Sequence, residues 1–388
     1  MSLKKKAAIV GVYEHPTRFA PSKTTYQIIA ESAREALADA GLTIKDVDGL
    51  FNAGGGGLIG SLALADYLNL NPSYTDTTNY GGSSFVGHCA HAAAAIAAGL
   101  CNVALICYSA TPVSTPMAGI GGGGGGGMVG DPSVPFEQPY GPTIINGYAM
   151  TAQLHMHEYG TTSEQLAEIA VTTRLHASLN PNAKYRDLIT VEDVLKSRVI
   201  STPLHLLDCC VVSDGGGAVV MTSAERARDL RKKPIYVLGS GEAMRHAAAG
   251  HRDLLDIATN DSARQVYQRT GLTPKDIDMA MIYDSFTITV LMQLEALGFC
   301  KRGEGGAWVS GGRLRYDGEF PLNTDGGGLS SNHPGMRGIF LLIEATRQLR
   351  GEGGPRQAKK PLRTAIASGI GGILGYRHAA ATVILSNE

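Results

Sequence analysis

The sequence has no CxxC pair, no HExxH motif and no basic run of the kind that tracks phosphates. Its six cysteines are scattered over 388 residues, and the adjacent Cys209 and Cys210 cannot readily bridge each other. Such usage predicts reduced thiols in a cytoplasmic protein and no bound metal. A net charge of -1 argues against a nucleic-acid or anionic-membrane surface, so any anionic ligand must meet local positive groups. No segment reaches the about 18 continuous apolar residues of a membrane span. The apolar stretch after Lys4-Lys5-Lys6 is too short for a secretory signal and lacks a small-residue cleavage site. What remains is a chain with 44% hydrophobic and 18% charged residues, well buried and long enough for two domains.

One segment is written twice. Residues 31–48 read ESAREALADAGLTIKDVD and residues 261–278 read DSARQVYQRTGLTPKDID, nine identities in eighteen positions at a constant offset of 230. Solenoid repeats recur every about 20–50 residues, so this spacing indicates one duplicated domain. The halves divide at 1–229 and 230–388, with a pseudo-two-fold between them and function expected where they meet. In the first half, strands are predicted at 7–12, 48–53, 103–109 and 215–223, with helices at about 24–40 and 83–99. The second half repeats the order, with strands at 235–243, 279–284, 364–369 and 376–386 and helices at 261–270 and 335–351. Strand–helix alternation in two copies predicts an α/β fold in five layers, with helices sandwiched between two sheets.

The first half carries an insertion at about 111–205. Seven consecutive glycines, Gly121–Gly127, lie in it, and no Gly-Lys-Ser/Thr follows, so a phosphate loop is a poor reading. A flap over a pocket, or a loop where backbones pass closely, fits better. The helical remainder of the insertion is expected to form a lid over the first sheet.

Three segments gather residues able to do chemistry: NYGGSSFVGH (79–88), LSSNHPGMRG (329–338) and SGIGGILGYRH (368–378). The first two sit where long helices start, and helix N-termini favour a developing oxyanion such as an enolate. Here the chain resembles the thiolase superfamily, in particular its sterol-carrier-protein (lipid-transfer) branch. The likeness runs from ADAGLTIKDVDGLF through LLDCCVVSDGGGAVV to NHPGMRG. It implies a duplicated thiolase-like fold and an acyl-CoA substrate, with coenzyme A entering as part of the substrate and no other cofactor. It also implies a homodimer, and a small OB-fold and zinc-ribbon partner protein of the kind that pairs with members of this branch.

The match to the thiolase site is partial. The His-Pro motif is intact as Asn332-His333-Pro334-Gly335, which makes His333 an oxyanion donor or acid/base. Tyr283-Asp284-Ser285-Phe286 resembles a second family motif, placing Tyr283 and Asp284 in or beside the site. The nucleophilic cysteine position, however, reads Asn79-Tyr80-Gly81-Gly82, and the C-terminal acid/base position is Ser368. Covalent catalysis needs a nucleophile beside its base, and Gly82 has no side chain. Ser83 and Ser84 are helix caps or substitute nucleophiles, and Cys89 is a buried apolar residue or a displaced nucleophile. Tyr283 is a core residue or a phenol that donates to a carbonyl or takes a proton. Aldolase-like members of the branch, which cleave steroid side-chain acyl-CoA, resemble this chain here but use two tyrosines, and the second falls near Asn332, so that half of the pattern is absent. Backbone and side-chain donors for the substrate carbonyl are expected from Gly82, Ser83, Asn332, Ser368, Gly369 and Gly371. His88 and His91, three apart on one helix face, suit packing or an interface better than a metal without a third ligand.

Two readings follow from the resemblance. One is an acyltransferase-type enzyme on acyl-CoA thioesters that makes or breaks a C–C bond, by non-covalent retro-aldol or retro-Claisen chemistry given Gly82. The other is a non-catalytic acyl-CoA- or lipid-binding scaffold subunit of a thiolase-like complex.

Overall fold

The computed structural model describes residues 3–53, 60–115, 138–141, 143–246, 252–374 and 376–388. Strand β1 (Ala7–Glu14) leads into helix α1 (Thr25–Ala40), β2 (Gly49–Phe51), α2 (Gly60–Tyr67), β3 (Tyr74–Asp76), α3 (Ser84–Ala97) and β4 (Val103–Ala110). Helices α4 (Ile144–Tyr159), α5 (Ser163–Ser178) and α6 (Val191–Lys196) precede a hairpin of β5 (Val199–Ser201) and β6 (Leu204–His205). Strand β7 (Gly215–Ser223) and the short α7 (Ala224–Ala227) close the first half. The second half runs β8 (Ile235–His246), α8 (Ala258–Thr270), β9 (Met279–Ile282), α9 (Thr287–Ala296), α10 (Gly305–Val309), α11 (Gly338–Arg350), β10 (Thr364–Ile373) and β11 (Arg377–Ser386).

The repeated segments fold alike, bond for bond. Helices α1 and α8 end on Gly41 and Gly271, both left-handed with φ near 75° and 73°, a conformation glycine adopts without strain. Next, Thr43 and Thr273 donate through backbone N–H to Asp46 and Asp276 at 2.9 and 2.8 Å. Then Asp48 accepts from Val103 N–H and Asp278 from Thr364 N–H, each tying the repeat to the start of a neighbouring strand.

The strands form one ladder in the order β3-β2-β4-β7-β1-β8-β11-β10-β9. Read outward from the β1–β8 seam, β7 matches β11, β4 matches β10 and β2 matches β9. The pseudo-two-fold therefore passes between β1 and β8. That seam is short, with Ala8 opposite Tyr236 and Ile9 opposite Ile235, so each half keeps its own sheet. Helix α3 packs against β4 and β7 of one half and β8, β10 and β11 of the other, while α11 packs on β7 and β10. Both faces of α3 are buried, which is why its sequence is apolar all round (Phe85, Val86, Cys89, Ala92 and Ala93 are fully buried). Helix α1 covers the outer face of the first sheet, burying Ile28, Ile29, Ala33, Ala36 and Leu37 along one stripe, and α8 covers β8 and β11. Helices outside, sheets within and helices at the centre make the expected five layers.

The insertion departs from expectation. The main packing of α4 and α5 is against the second half, on α9, α10, β10 and the 327–331 turn, rather than over the first sheet. The cause is polar. Arg174 donates to Ser330 at 2.8 Å, Asn180 to the Asp325 carbonyl at 2.7 Å, and His176 pairs with the Asn323 carbonyl at 3.2 Å. These satisfy backbone carbonyls and a side-chain hydroxyl of a buried irregular loop that lacks strand or α-helix partners. The Gly121–Gly127 run lies outside the described residues.

Candidate active site

The N-terminus of α3 and the second-half strand β10 meet backbone to backbone. A Cβ on Gly81 would lie 3.0 Å from the Gly371 Cα, and one on Gly371 would strike the Tyr80 carbonyl. A Cβ on Gly369 would lie 2.8 Å from the Ser83 Cα. The glycines on both sides are what allow this approach. The start of α11 closes in from a third direction, because a Cβ on Gly338 would strike the Gly82 carbonyl. Thus the two central helices begin at one point, as expected.

The space that a side chain at position 82 would need is taken by Tyr283. A Cβ on Gly82 would lie 2.5 Å from the Tyr283 Cζ and 2.6 Å from its phenolic oxygen. Tyr283 leaves the end of β9 with its backbone N–H bound to the Ser368 carbonyl at 2.9 Å. Its ring is buried, and its phenol shares a 2.9 Å hydrogen bond with His333 Nε2. Burial, with Cys210, Tyr108 and Tyr148 nearby, raises the phenol well above 10, so it is protonated at neutral pH. Burial and then the Arg337 cation lower His333 to about 4, so its ring is neutral, although one side stays partly accessible. The pair is a neutral acid beside a neutral base, sharing one proton.

Gly82→Ala tests this steric exclusion. Overpacking a fixed ring typically costs about 1–3 kcal/mol. The variant is expected to lose about that much stability in a denaturant titration and to break the Tyr283–His333 contact; wild-type stability would show that the ring can yield.

Arg337 holds the loop that presents His333. Its guanidinium is fully buried and forks onto Asp325 at 2.8 and 2.7 Å, while Nη1 donates to the Asn332 carbonyl at 3.2 Å. Its Nε lies 2.9 Å from Asp284 Oδ1, an ion pair without hydrogen-bond alignment. Asp284 in turn accepts from Gly328 N–H at 2.7 Å and Leu329 N–H at 3.1 Å. Burial pushes its carboxyl up to about 6 against the pull of Arg337. Asp284 is therefore not brought to the phenol; it anchors the loop. Two first-half residues anchor the other side. Tyr108 donates to the Pro334 carbonyl at 2.6 Å and accepts from Met336 N–H at 3.0 Å, and Ser213 accepts from His333 N–H at 3.0 Å.

Other expected site residues are placed elsewhere. The Asn332 amide is fully buried, accepting from Ser213 at 2.8 Å and donating to Glu14 at 3.3 Å, so it fixes the loop instead of facing a substrate. The Ser368 hydroxyl turns to Gln293 at 3.2 Å and Thr382 at 3.0 Å, away from Tyr283. Ser84 Oγ donates to the Gly81 carbonyl at 2.6 Å and accepts from Tyr80 N–H, closing the turn before α3, and Ser83 Oγ donates to the Ala379 carbonyl, so neither hydroxyl is left as a cap or a free nucleophile. Cys89 is buried in the core with its thiol pushed up to about 12, so no thiolate is available there at neutral pH. Sequence reasoning missed Tyr108, Ser213, Gln293 and Arg337. Arg337 had a signal, lying within the Asn-His-Pro-Gly-Met-Arg motif; Gln293, which donates to the Tyr283 carbonyl at 2.8 Å, had none.

Comparison with known proteins identifies the family. Residues 241–387 match the family described as Thiolase C-terminal domain-like. A steroid side-chain-cleaving aldolase of Thermomonospora curvata is 38% identical over 359 residues, 89% of this chain and 90% of that protein. The 17-hydroxy-3-oxo-4-pregnene-20-carboxyl-CoA lyase of Mycobacterium tuberculosis is 36% identical over 362 residues, 90% of this chain and 92% of that protein. Among solved structures, the Ltp2-ChsH2(DUF35) aldolase superposes with a TM-score of 0.87 at 33% identity, covering 99% of this chain and 98% of that one. A thiolase-like fold and two relatives matched over about nine-tenths of both chains show the family: the chain is an enzyme of the thiolase superfamily and belongs to its sterol-carrier-protein branch.

Proposed function

We propose that the protein is an acyl-CoA lyase that breaks the Cα–Cβ bond of a β-hydroxyacyl-CoA by a non-covalent retro-aldol reaction. The observation that carries this reading is the Tyr283 phenol, seated where a nucleophile would project and bonded to His333. In a retro-aldol step the β-hydroxyl loses its proton and its oxygen becomes a carbonyl. The C–C bond pair moves onto the thioester as an enolate, and a proton returns to Cα. Tyr283 takes the hydroxyl proton as it passes its own to His333 Nε2. The returning proton comes from the same pair. Backbone N–H groups at the adjoining starts of α3 and α11 are assigned the enolate oxygen, an effect of the oxyanion-hole kind worth about 3–4 kcal/mol per donor. No cofactor beyond the coenzyme A of the substrate is required by these steps.

The two neutral groups set the pH dependence. With Tyr283 held well above 10 and His333 already neutral, kcat/KM is expected to stay level from about pH 7 to about pH 9. The acid limb belongs first to Asp284, near 6, and then to His333, near 4. An inflection between about pH 7 and 9 would mean that a different group carries the proton. The direct assay supplies β-hydroxyacyl-CoA thioesters, steroidal and aliphatic, and measures release of the carbonyl fragment and the shortened acyl-CoA. Binding without turnover on every substrate would favour the scaffold reading instead.

Two assembly features accompany the proposal. The solved Ltp2-ChsH2(DUF35) aldolase is a two-component enzyme by its name, and we place a second small subunit beside this chain also. Strand β3 ends the sheet as an edge strand, which suits pairing with a second copy of the chain in a homodimer.

A further inference from the structure

A chain of polar contacts outside the proton-transfer pair runs from the sheet edge to Gly82. Asp76 ends β3, with Oδ1 accepting from Thr78 N–H at 2.8 Å. Its Oδ2 meets His91 Nδ1 at 2.6 Å, and His91 Nε2 lies 3.0 Å from Glu242 Oε1 on β8 of the second half. Glu242 Oε2 accepts from the Tyr80 phenol at 2.8 Å. Ionised carboxylates only accept hydrogen bonds, so a ring touching one at each nitrogen must donate from both. His91 is thus an imidazolium, and its two partners raise it to about 10, while the neighbouring His88, buried and 4.0 Å from Asp76, is lowered to about 4.

Tyr80 is where this charge chain reaches the site. Its ring lies across α3 over Gly87, since a Cβ there would strike the phenolic oxygen. Its N–H donates to Ser84 Oγ at 3.0 Å, and its carbonyl presses on Gly371. Gly81 and Gly82 follow directly, and Gly82 is the wall against which the Tyr283 ring rests. With the ring fixed at one end by Glu242 and the backbone fixed at the other by Ser84 and Gly371, the Gly82 wall has little freedom to shift.

We propose that Tyr80, Glu242, His91 and Asp76 are positioning residues that clamp the Gly81–Gly82 wall and thereby hold the Tyr283 phenol on His333. The inference rests on the retro-aldol reading for its kinetic consequence, though not for its structural one. On this reading Tyr80 and His91 act through the Gly81–Gly82 backbone and not on the substrate, so substrate binding depends little on them, whereas a misplaced proton donor slows the chemical step. Small displacements at a reacting centre cost up to about a hundredfold.

Two variants and two readouts test it. Tyr80→Phe removes one oxygen and keeps the ring, so the fold survives; His91→Gln removes the cation. Each is expected to lower kcat by about ten- to a hundredfold with KM changed less than about threefold, and the double variant to be no worse than the poorer single one. Independently of turnover, the imidazole nitrogen resonances of His333, followed with isotope-labelled histidine, are expected to move in Tyr80→Phe. If the wild type is inactive on all β-hydroxyacyl-CoA substrates while the His333 signals still move, the retro-aldol reading fails and the clamp stands. Unchanged His333 signals in Tyr80→Phe would overturn the clamp, as would a change confined to KM or effects that multiply in the double variant.

Discussion

Tyr283→Phe is expected to lower kcat/KM on a β-hydroxyacyl-CoA by about 10²- to 10⁴-fold, the range for loss of a positioned acid–base group. The substitution keeps the ring that fills the Gly82 space and the packing around it. It deletes one oxygen and with it the 2.9 Å bond to His333. His333 then has no phenol from which to accept, and the substrate hydroxyl has no acceptor placed beside an acid. Folding should change little, because the lost bond has a partly accessible partner in His333. The measurement is steady-state kinetics beside a denaturant titration. Activity near wild type would mean that another group moves the proton.

Arg337→Met is expected to cost about 3–5 kcal/mol of folding stability, the range for stripping one partner from a buried ion-pair network. Methionine replaces the length of the side chain but leaves the Asp284 and Asp325 carboxyls buried with no compensating cation. The Asn332 carbonyl also loses a donor, next to the histidine that matters. A lowered denaturation midpoint with unchanged slope is the expected result. Asp284 and Asp325 keep backbone donors, Gly328 and Gly327 N–H, so the loss should stay within that range. Wild-type stability would show that the carboxyls relax by taking up protons.

Much of this was legible in the sequence, and the residues show why the rest was not. The duplication at 31–48 and 261–278 gave the pseudo-two-fold, because the shared Gly41/Gly271, Thr43/Thr273, Asp46/Asp276 and Asp48/Asp278 build the same helix end, the same Thr–Asp turn and the same carboxylate tie to a strand. The register from Gly99 back to Gly82 put the expected nucleophile position at a residue without a side chain. Sequence could not show that Tyr283 occupies the vacated space, since that contact joins residues from different halves. Sequence adjacency also misled. Asp284 follows Tyr283, yet consecutive side chains at a strand end point to opposite sides, so one meets His333 and the other Arg337. Ser368 gives Tyr283 its backbone carbonyl while its hydroxyl points to Gln293. The lid was assigned to the wrong half because its anchors, Arg174, His176 and Asn180, bind a loop whose unmet carbonyls leave no trace in hydrophobic periodicity.

The central claim is that chemistry at Gly82 proceeds without a covalent enzyme intermediate, and intact mass spectrometry of rapidly quenched turnover mixtures tests it most directly. With a β-hydroxyacyl-CoA in excess, the expected mass throughout turnover is that of the unmodified chain, with the carbonyl fragment and shortened acyl-CoA accumulating. An acyl adduct formed and lost at the rate of turnover, mapped to Ser83, Ser84, Cys89 or Cys210, would contradict it.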